Sequence, residues 1–325
     1  MKNIAITGVA GFTTPISLSH GNHKPMISII TPSFNNGKYI RQTIQSILGQ
    51  GGISVEYIVV DGGSSDGTLD TIRSFGDRLR YISKPDHGQS DAINKGIQMS
   101  HGDLIGWLNA DDYYHPETLH VIAEYFAKNP EVIFLYGDGL VVAEDGTIIG
   151  LYPTEEYSLK RLAYRSFICQ PAAFWRRSLS EEIGSMDVSL HYAMDLDFWI
   201  RTGKALIRHP EWRVAYIPQV FAYSRMHRRT KTITRHREVL HEIINVVKRY
   251  FGYVPFNWVY GIEEVRDLRY DGIFKKSPLN FRLITKSFIQ WILQNRTRPD
   301  HIVKFIGKVL FSPRKSWQTM VERVK

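Results

Sequence analysis

Cysteine is nearly absent from this chain of 325 residues, with Cys169 standing alone. No internal disulfide can form, so a buried core has to supply the stability, and a reducing compartment, the cytoplasm, is the expected setting. Long apolar runs are also missing: none approaches the roughly 18 residues of a membrane-spanning helix. Met1–Lys24 has a short apolar start without the long apolar stretch or clear cleavage site of a secretory leader. Internal repeats and low-complexity segments are lacking too, which argues against repeat architectures and disordered linkers. What the chain does have is 43% hydrophobic and 12% aromatic residues, the composition of a folded protein of one large domain or two modest ones.

Basic residues are plentiful but unevenly placed within a formal net charge of +9. Residues 228–325 carry 21 Lys and Arg against 8 Asp and Glu, whereas residues 1–227 carry 20 against 24. The strongly basic tail points to an anionic partner. His301–Phe311 places Ile302, Phe305, Ile306, Val309 and Leu310 on one helical stripe flanked by Lys304 and Lys308, and Phe288, Trp291 and Ile292 make a shorter one. Basic amphipathic helices lie on anionic membrane surfaces, so peripheral attachment at the inner face of the cell membrane is expected, with packing on the rest of the protein as the alternative. No recognised nucleic-acid module surrounds these bases, and nucleic acid is not an expected partner.

Along the chain, apolar β-branched runs alternate with helical spacing. Met26–Thr31, Val55–Val60, Arg80–Ser83, Leu104–Leu108 and Val132–Tyr136 read as strands, and Tyr39–Leu48, Leu69–Phe75, Asp91–Met99 and Leu119–Lys128 as helices. This alternation predicts an α/β fold with a mostly parallel sheet and helices on both faces. Leu140–Ala143 and Thr147–Leu151, joined by Glu144-Asp145-Gly146, predict a hairpin. From His236 onward the pattern is helical and basic, which divides the chain into an extension (1–25), a catalytic-sized domain (26–235) and a helical tail (236–325). Lys2–Phe12 resembles the opening of an extended short-chain dehydrogenase. Thr14 occupies the third glycine position, however, and the next strand starts at Met26, leaving no room for the crossover helix, so NAD binding is not expected.

The segment Gly102–Asp112, GDLIGWLNADD, carries the most chemistry. A buried strand stops at Asn109-Ala110-Asp111-Asp112, crowding three oxygen-bearing side chains at its carboxyl end, where open α/β sheets bind ligands. Oxygen ligands of this kind suit Mg²⁺ or Mn²⁺, which complete their shells with phosphate oxygens and water. A polar helix-capping turn is the competing explanation.

Seven motifs in order then resemble family 2 glycosyltransferases, inverting enzymes with the GT-A nucleotide-sugar fold. They are ISIITPSFNNGKYI (27–40), VEYIVVDGGSSDGT (55–68), DHGQSDAINKGI (86–97), GDLIGWLNADD (102–112), CQPAAFWRR (169–177), AMDLDFWIR (193–201) and RMHRRTKT (225–232). The resemblance implies that Thr31, Pro32 and Phe34 with Asp61 hold the nucleotide, and that Asp91 and Asn94 line the nucleotide-sugar pocket. On the residues alone, Asp61 can instead cap the helix after the Gly-Ser turn, and Asp91 and Asn94 can be helix-capping groups. Where the family has Asp-X-Asp, this chain has Asn109 at the first position, so Asp111 is the first-choice metal ligand, supported by Asp112. His227 is a further candidate ligand, and Arg225, Arg228 and Lys231 are candidates for neutralising phosphate.

The resemblance also implies a catalytic base at Asp195, which takes the acceptor hydroxyl's proton in a single inverting displacement. Gln170, Trp175 and Trp199 are expected on the acceptor side, core packing being the alternative for the two tryptophans. The implied activity is hexosyl or N-acetylhexosaminyl transfer from a nucleoside-diphosphate sugar, with a UDP-sugar the expected donor, to a glycan or lipid-linked acceptor in bacterial surface polysaccharide assembly. Two rivals differ in class. A sugar nucleotidyltransferase would need a Gly-rich, Arg-containing loop where TPSFNNGKYI stands, and a non-catalytic sugar-nucleotide-binding protein would leave Asp111 and Asp195 without a purpose.

Overall fold

Apolar β-branched segments become strands and segments of three-to-four-residue apolar spacing become helices, in the order read. The computed structural model describes residues 25–264, 281–295, 298 and 300–302. In chain order the elements are β1 (Ile27–Ser33), α1 (Ile40–Leu48), β2 (Val55–Asp61), α2 (Thr68–Arg73), β3 (Arg80–Ser83), α3 (Gln89–Met99), β4 (Leu104–Trp107), β5 (Tyr113–Tyr114), α4 (Thr118–Lys128), β6 (Val132–Val142) and β7 (Ile148–Leu151). They continue with α5 (Leu159–Leu162), β8 (Ala173–Arg176), α6 (Arg177–Ile183), α7 (Met194–Arg208), β9 (Arg213–Arg225), α8 (Lys231–Thr234), α9 (His236–Phe251), α10 (Phe256–Glu264) and α11 (Phe281–Gln294).

The strands form one sheet in the order β3-β2-β1-β4-β8-β6-β9-β5, with β7 on β6. The first four are parallel, and the remainder is mixed: β8 runs antiparallel to both β4 and β6, while β6 and β9 are parallel. The β-period of two sorts the core. Ile27 and Ile29 of β1, Leu104 of β4 and Leu135 of β6 join one buried cluster, and their neighbours Ile30, Ile105 and Phe134 join the other. Trp175 and Trp199 belong to the second cluster, completely buried, their rings 6.5 Å apart and Trp199 4.8 Å from Phe134. They serve packing and do not line the cavity.

Two segments depart from the expected elements. Val132–Tyr136 and Leu140–Ala143, read as separate strands, are one strand whose register against β9 shifts on either side of Asp138. The opposing segment, Ile217 to Ala222, contains Pro218, which has no N–H to give to a ladder, and the irregularity absorbs it. That proline also breaks the alternation that would have marked β9. The expected hairpin forms, pairing Leu140 with Leu151.

Packing continues past residue 236. Val239, Ile243, Val246 and Val247 of α9 are buried in the second cluster, beside Trp175 and Trp199. Phe288, Trp291 and Ile292 pack with Ile244, Val254 and Val259, so the shorter apolar stripe of the tail lies against the protein's own helices. The 1–24 extension and most of the His301–Phe311 stripe lie outside the described residues. Among the described residues no helix is long and apolar enough to cross a membrane.

Candidate active site

The carboxyl ends of β1 and β4, the start of α3, the segment before α7 and the segment after β9 surround one cavity of about 990 Å³. Pro32, Phe34, Asn109, Asp111, Asp112, Gln170, Asp195 and His227 all line it. Phe34 offers a ring 62% exposed, an apolar face ready for a flat partner. The buried hydroxyl of Ser33 beside it has no hydrogen-bond partner.

The polar turn after β4 is a connected network. The Asn109 side-chain oxygen accepts from Gln89 (2.7 Å) and from the Trp107 indole (2.8 Å), while its amide donates to Asp112 (3.1 Å) and to Gln170 (3.0 Å). Gln170 in turn donates to the Trp107 carbonyl at 2.6 Å. With every polar atom of its side chain engaged, Asn109 acts as the hub that orients the turn. Asp112 is buried, and one of its oxygens accepts the Arg225 N–H at 2.8 Å, tying the end of β9 to this turn. Burial and the neighbouring Asp111 charge raise its carboxyl well above the usual range.

Asp111 reaches the cavity, and one of its oxygens lies 2.9 Å from His227 Nε2. His227 Nδ1 accepts the Arg229 N–H at 3.2 Å, so the neutral ring carries its proton on Nε2 and donates to Asp111. Ligation of a cation through Nε2 would require that proton to leave or the Arg229 bond to open. Asp111 would offer a divalent ion a single carboxylate, its side chain 24% exposed. Among the described residues no cluster of three Asp, Glu, His or Cys side chains can hold one, so diphosphate oxygens would have to complete the shell. Arg225 is buried, its guanidinium donating to the carbonyls of Asp111 and Glu144 and to Gln42; Arg229 and Lys231 line the cavity, whereas Arg228 does not.

Asp195, also on the cavity wall, stands in the first turn of α7. Its Oδ1 accepts the Leu196 N–H at 2.7 Å. Burial, reinforced by the charge of Glu242, pushes its carboxyl up to about 6. Asp197, two residues on, points elsewhere: it is 1% exposed, pairs with Arg201 at 2.7 Å and accepts from the Tyr250 hydroxyl at 2.7 Å.

Other expected contacts are placed away from the cavity wall. Thr31 is fully buried in β1, its hydroxyl accepting from Tyr57 at 3.2 Å. Asp61 is fully buried and accepts from the Gly63 and Ser64 N–H groups (3.2 and 2.9 Å) and from the hydroxyls of Ser64 and Ser83. The turn therefore uses this carboxylate. Asp91 accepts the His87 N–H and pairs with Lys95 at 2.9 Å, and Asn94 exchanges two hydrogen bonds with the Met186 backbone. Asp86, not singled out in the sequence, does line the cavity, packed so near Gly62 that a Cβ there would lie 2.9 Å from its Oδ2. Its signal was the turn sequence Pro85-Asp86-His87-Gly88, and Gly88 takes a φ of +105° open to glycine.

Comparison with known proteins follows the same outline. Residues 28–184 match the profile of glycosyl transferase family 2. A PGL/p-HBAD biosynthesis glycosyltransferase of Mycobacterium tuberculosis is 33% identical over 182 residues, 54% of this chain and 69% of that protein. An uncharacterized glycosyltransferase of Rickettsia typhi is 31% identical over 192 residues, 57% of this chain. The aligned part spans 60% and 59% of the lengths of that protein and its Rickettsia prowazekii counterpart. Among solved structures, the mannosyltransferase PcManGT from Pyrobaculum calidifontis, in complex with GDP-Man and Mn²⁺, has a TM-score of 0.55 at 17% identity, covering 93% of this chain and 86% of that one. S. aureus TarS 1-349 in complex with UDP-GlcNAc has a TM-score of 0.51 at 17% identity, covering 82% and 81%. At such identities the likeness is one of fold.

Proposed function

The chain belongs to glycosyl transferase family 2 and has a GT-A-type fold, and from that premise we propose that it is an inverting transferase moving a sugar from a nucleoside-diphosphate sugar to a hydroxyl of a glycan or lipid-linked acceptor. The observation that carries this reading is that Asp111 and Asp195 line one and the same cavity. A UDP-sugar is the proposed donor, transfer of a hexosyl or N-acetylhexosaminyl group the proposed subtype, and bacterial surface polysaccharide assembly the proposed setting.

In the proposed step Asp195, ionised above its raised pKa, takes the proton of the acceptor hydroxyl. The hydroxyl oxygen bonds to the anomeric carbon while the bond from that carbon to the diphosphate breaks on the opposite face. The electron pair leaves with the nucleotide, and the centre inverts through an oxocarbenium-like transition state. Arg229 and Lys231 offset the charge of the departing diphosphate. A divalent cation, Mg²⁺ or Mn²⁺, held by Asp111 would supply Lewis-acid neutralisation of the same oxygens. Pro32 and the Phe34 face would support the nucleoside, and Gln170 would help bound the acceptor side. Attachment to an anionic membrane surface rests on the basic excess of residues 228–325. Deleting the residues after position 275 should then release the protein from membrane pellets at low salt, and unchanged pelleting would remove the idea.

The test of the main reading is nucleotide release by purified protein with Mg²⁺ or Mn²⁺ across UDP-, GDP- and dTDP-sugars, with Asp111→Ala alongside. Metal-dependent release from one donor, lost in the variant, is the expected result. Absence of both release and calorimetric binding for every donor would overturn the reading.

A further inference from the structure

The turn that delivers Asp195 is held from outside the region matched by the family profile. No side chain caps α7 at Ala193, and the preceding residues His191, Tyr192 and Ala193 turn their N–H groups toward α9. There the Glu242 carboxylate accepts all three, at 3.0 Å from His191, 2.7 Å from Tyr192 and 2.6 Å from Ala193. A carboxylate gathering three amides at the positive end of a helix is a strong, charge-assisted cap. The same helix grips α7 again through Tyr250, whose hydroxyl donates to Asp197, and through Arg249, 3.8 Å from Asp197, which also pairs at 2.9 Å with Asp187 in the loop before α7. From the other side Lys231 donates to the His191 carbonyl at 3.3 Å. The profile match ends at residue 184, so these grips come from a part of the chain it does not reach.

We propose that Glu242 is a positioning residue for the transfer step: its carboxylate sets the His191–Ala193 turn, and through it the direction and charge environment of Asp195. This rests on Asp195 being the base. Glu242 does not line the cavity, so it acts through that turn and not on substrate. The charged and titratable groups around Asp195 are Glu242 from α9, Lys231 from α8, His191 and Tyr192 of the turn, and Tyr152 after β7. Glu242 is the group among them whose negative charge opposes ionisation of Asp195.

Full-length wild type, Glu242→Gln, Glu242→Ala and Asp195→Asn are compared by amide exchange over residues 188–198 and by carbon-13 titration of the Asp195 carboxyl. Nucleotide release from the donor identified above is followed over a range of pH. In Glu242→Ala, exchange at 191–193 should rise about ten-fold or more as the cap is lost. Glu242→Gln keeps an acceptor oxygen but no charge. In it the Asp195 titration should move about half a unit to lower pH, and the acid limb of nucleotide release should move with it while donor affinity stays unchanged. If Glu242→Ala does not fold, Glu242→Gln alone decides. An unmoved Asp195 titration in Glu242→Gln would overturn the proposal. Full turnover by Asp195→Asn would remove the base assignment and Glu242's role with it, whereas an inactive Asp195→Asn beside unmoved Glu242 profiles would remove the Glu242 proposal alone.

Discussion

Two carboxylate pairs flank the cavity, Asp111 with Asp112 at the end of a strand and Asp195 with Asp197 at the start of a helix. Asp111, Asp112 and Asp195 line the cavity, Asp112 with little exposure, whereas Asp197 does not line it and is buried in the scaffold. The two buried members are kept differently. Asp112 has a backbone N–H and an amide for partners and a like charge beside it, whereas Asp197 has the Arg201 guanidinium and a tyrosine hydroxyl. A buried carboxylate without a cation is costly to ionise, and one with a cation is costly to separate from it. Next to the proposed base the scaffold pairs the buried carboxylate with a guanidinium, whereas next to the proposed metal-binding carboxylate the Arg225 guanidinium bonds to carbonyls and Gln42 and only its backbone N–H reaches Asp112.

The comparison breaks most directly at Asp195 and Asp111, the half-buried members. Asp195→Asn should lower transfer by about 1,000-fold, within the range for loss of a general base, while donor affinity measured by calorimetry stays unchanged. Full activity would end the assignment of the base. Asp111→Ala should lower metal-stimulated nucleotide release by about 100-fold, as expected when a Lewis-acid site is lost, and should weaken Mn²⁺-dependent donor binding with it. Equal stimulation by Mn²⁺ in the variant would move the cation elsewhere.

The buried members should answer in stability instead. Asp197→Asn, leaving Arg201 unpaired, should cost about 3 kcal/mol in urea unfolding, with activity per folded molecule within a few-fold of wild type. A large loss of activity without a loss of stability would exchange the roles of Asp195 and Asp197. The sign at Asp195 is opposite. Its folded-state pKa is raised to about 6, so the folded protein holds that proton more tightly than the unfolded chain does. The associated stability is fully present below the unfolded value and is lost as pH rises through about 6. Asp195→Asn should therefore be more stable than wild type at neutral pH by about 1–3 kcal/mol, with the difference vanishing in acid. The smallest effect belongs to Phe34→Ala, whose exposed ring contributes little to the core. Donor KM should rise about five-fold, with the unfolding midpoint unmoved.

Much of the parallel half of the sheet was legible because its signals are local. Ile27–Ser33 and Leu104–Trp107 are short, largely apolar buried runs ended by turn residues, and their positions, like that of the edge strand Arg80–Ser83, agree with the reading to within a residue or two. The mixed half was less legible. β8 is four residues long, and β9 carries a proline that only the register shift opposite Asp138 makes tolerable. At the site, Asn109 and Asp111 announced themselves by clustering at a strand end, and Asp195 by the family resemblance of its motif. Asp61, Asp91 and Asn94 have the same chemistry in the sequence, yet their oxygens are taken up by nearby backbone and hydroxyl groups. Glu242 left only the trace of an acid among the bases of a tail helix.

The sequence by itself determined the family, the alternating strands and helices of the parallel half, and which stretches carry carboxylates, because side-chain period and turn chemistry act over a few residues. Which carboxylate of each pair meets solvent was decided by tertiary structure. So was the role of α9, a helix of the basic tail whose acid reaches the turn before Asp195. Those outcomes depend on partners far away in the chain, Arg225 for Asp112, Tyr250 for Asp197 and Glu242 for the His191–Ala193 turn. Burial and hydrogen bonding across such distances exist only once the sheet and its helices have packed.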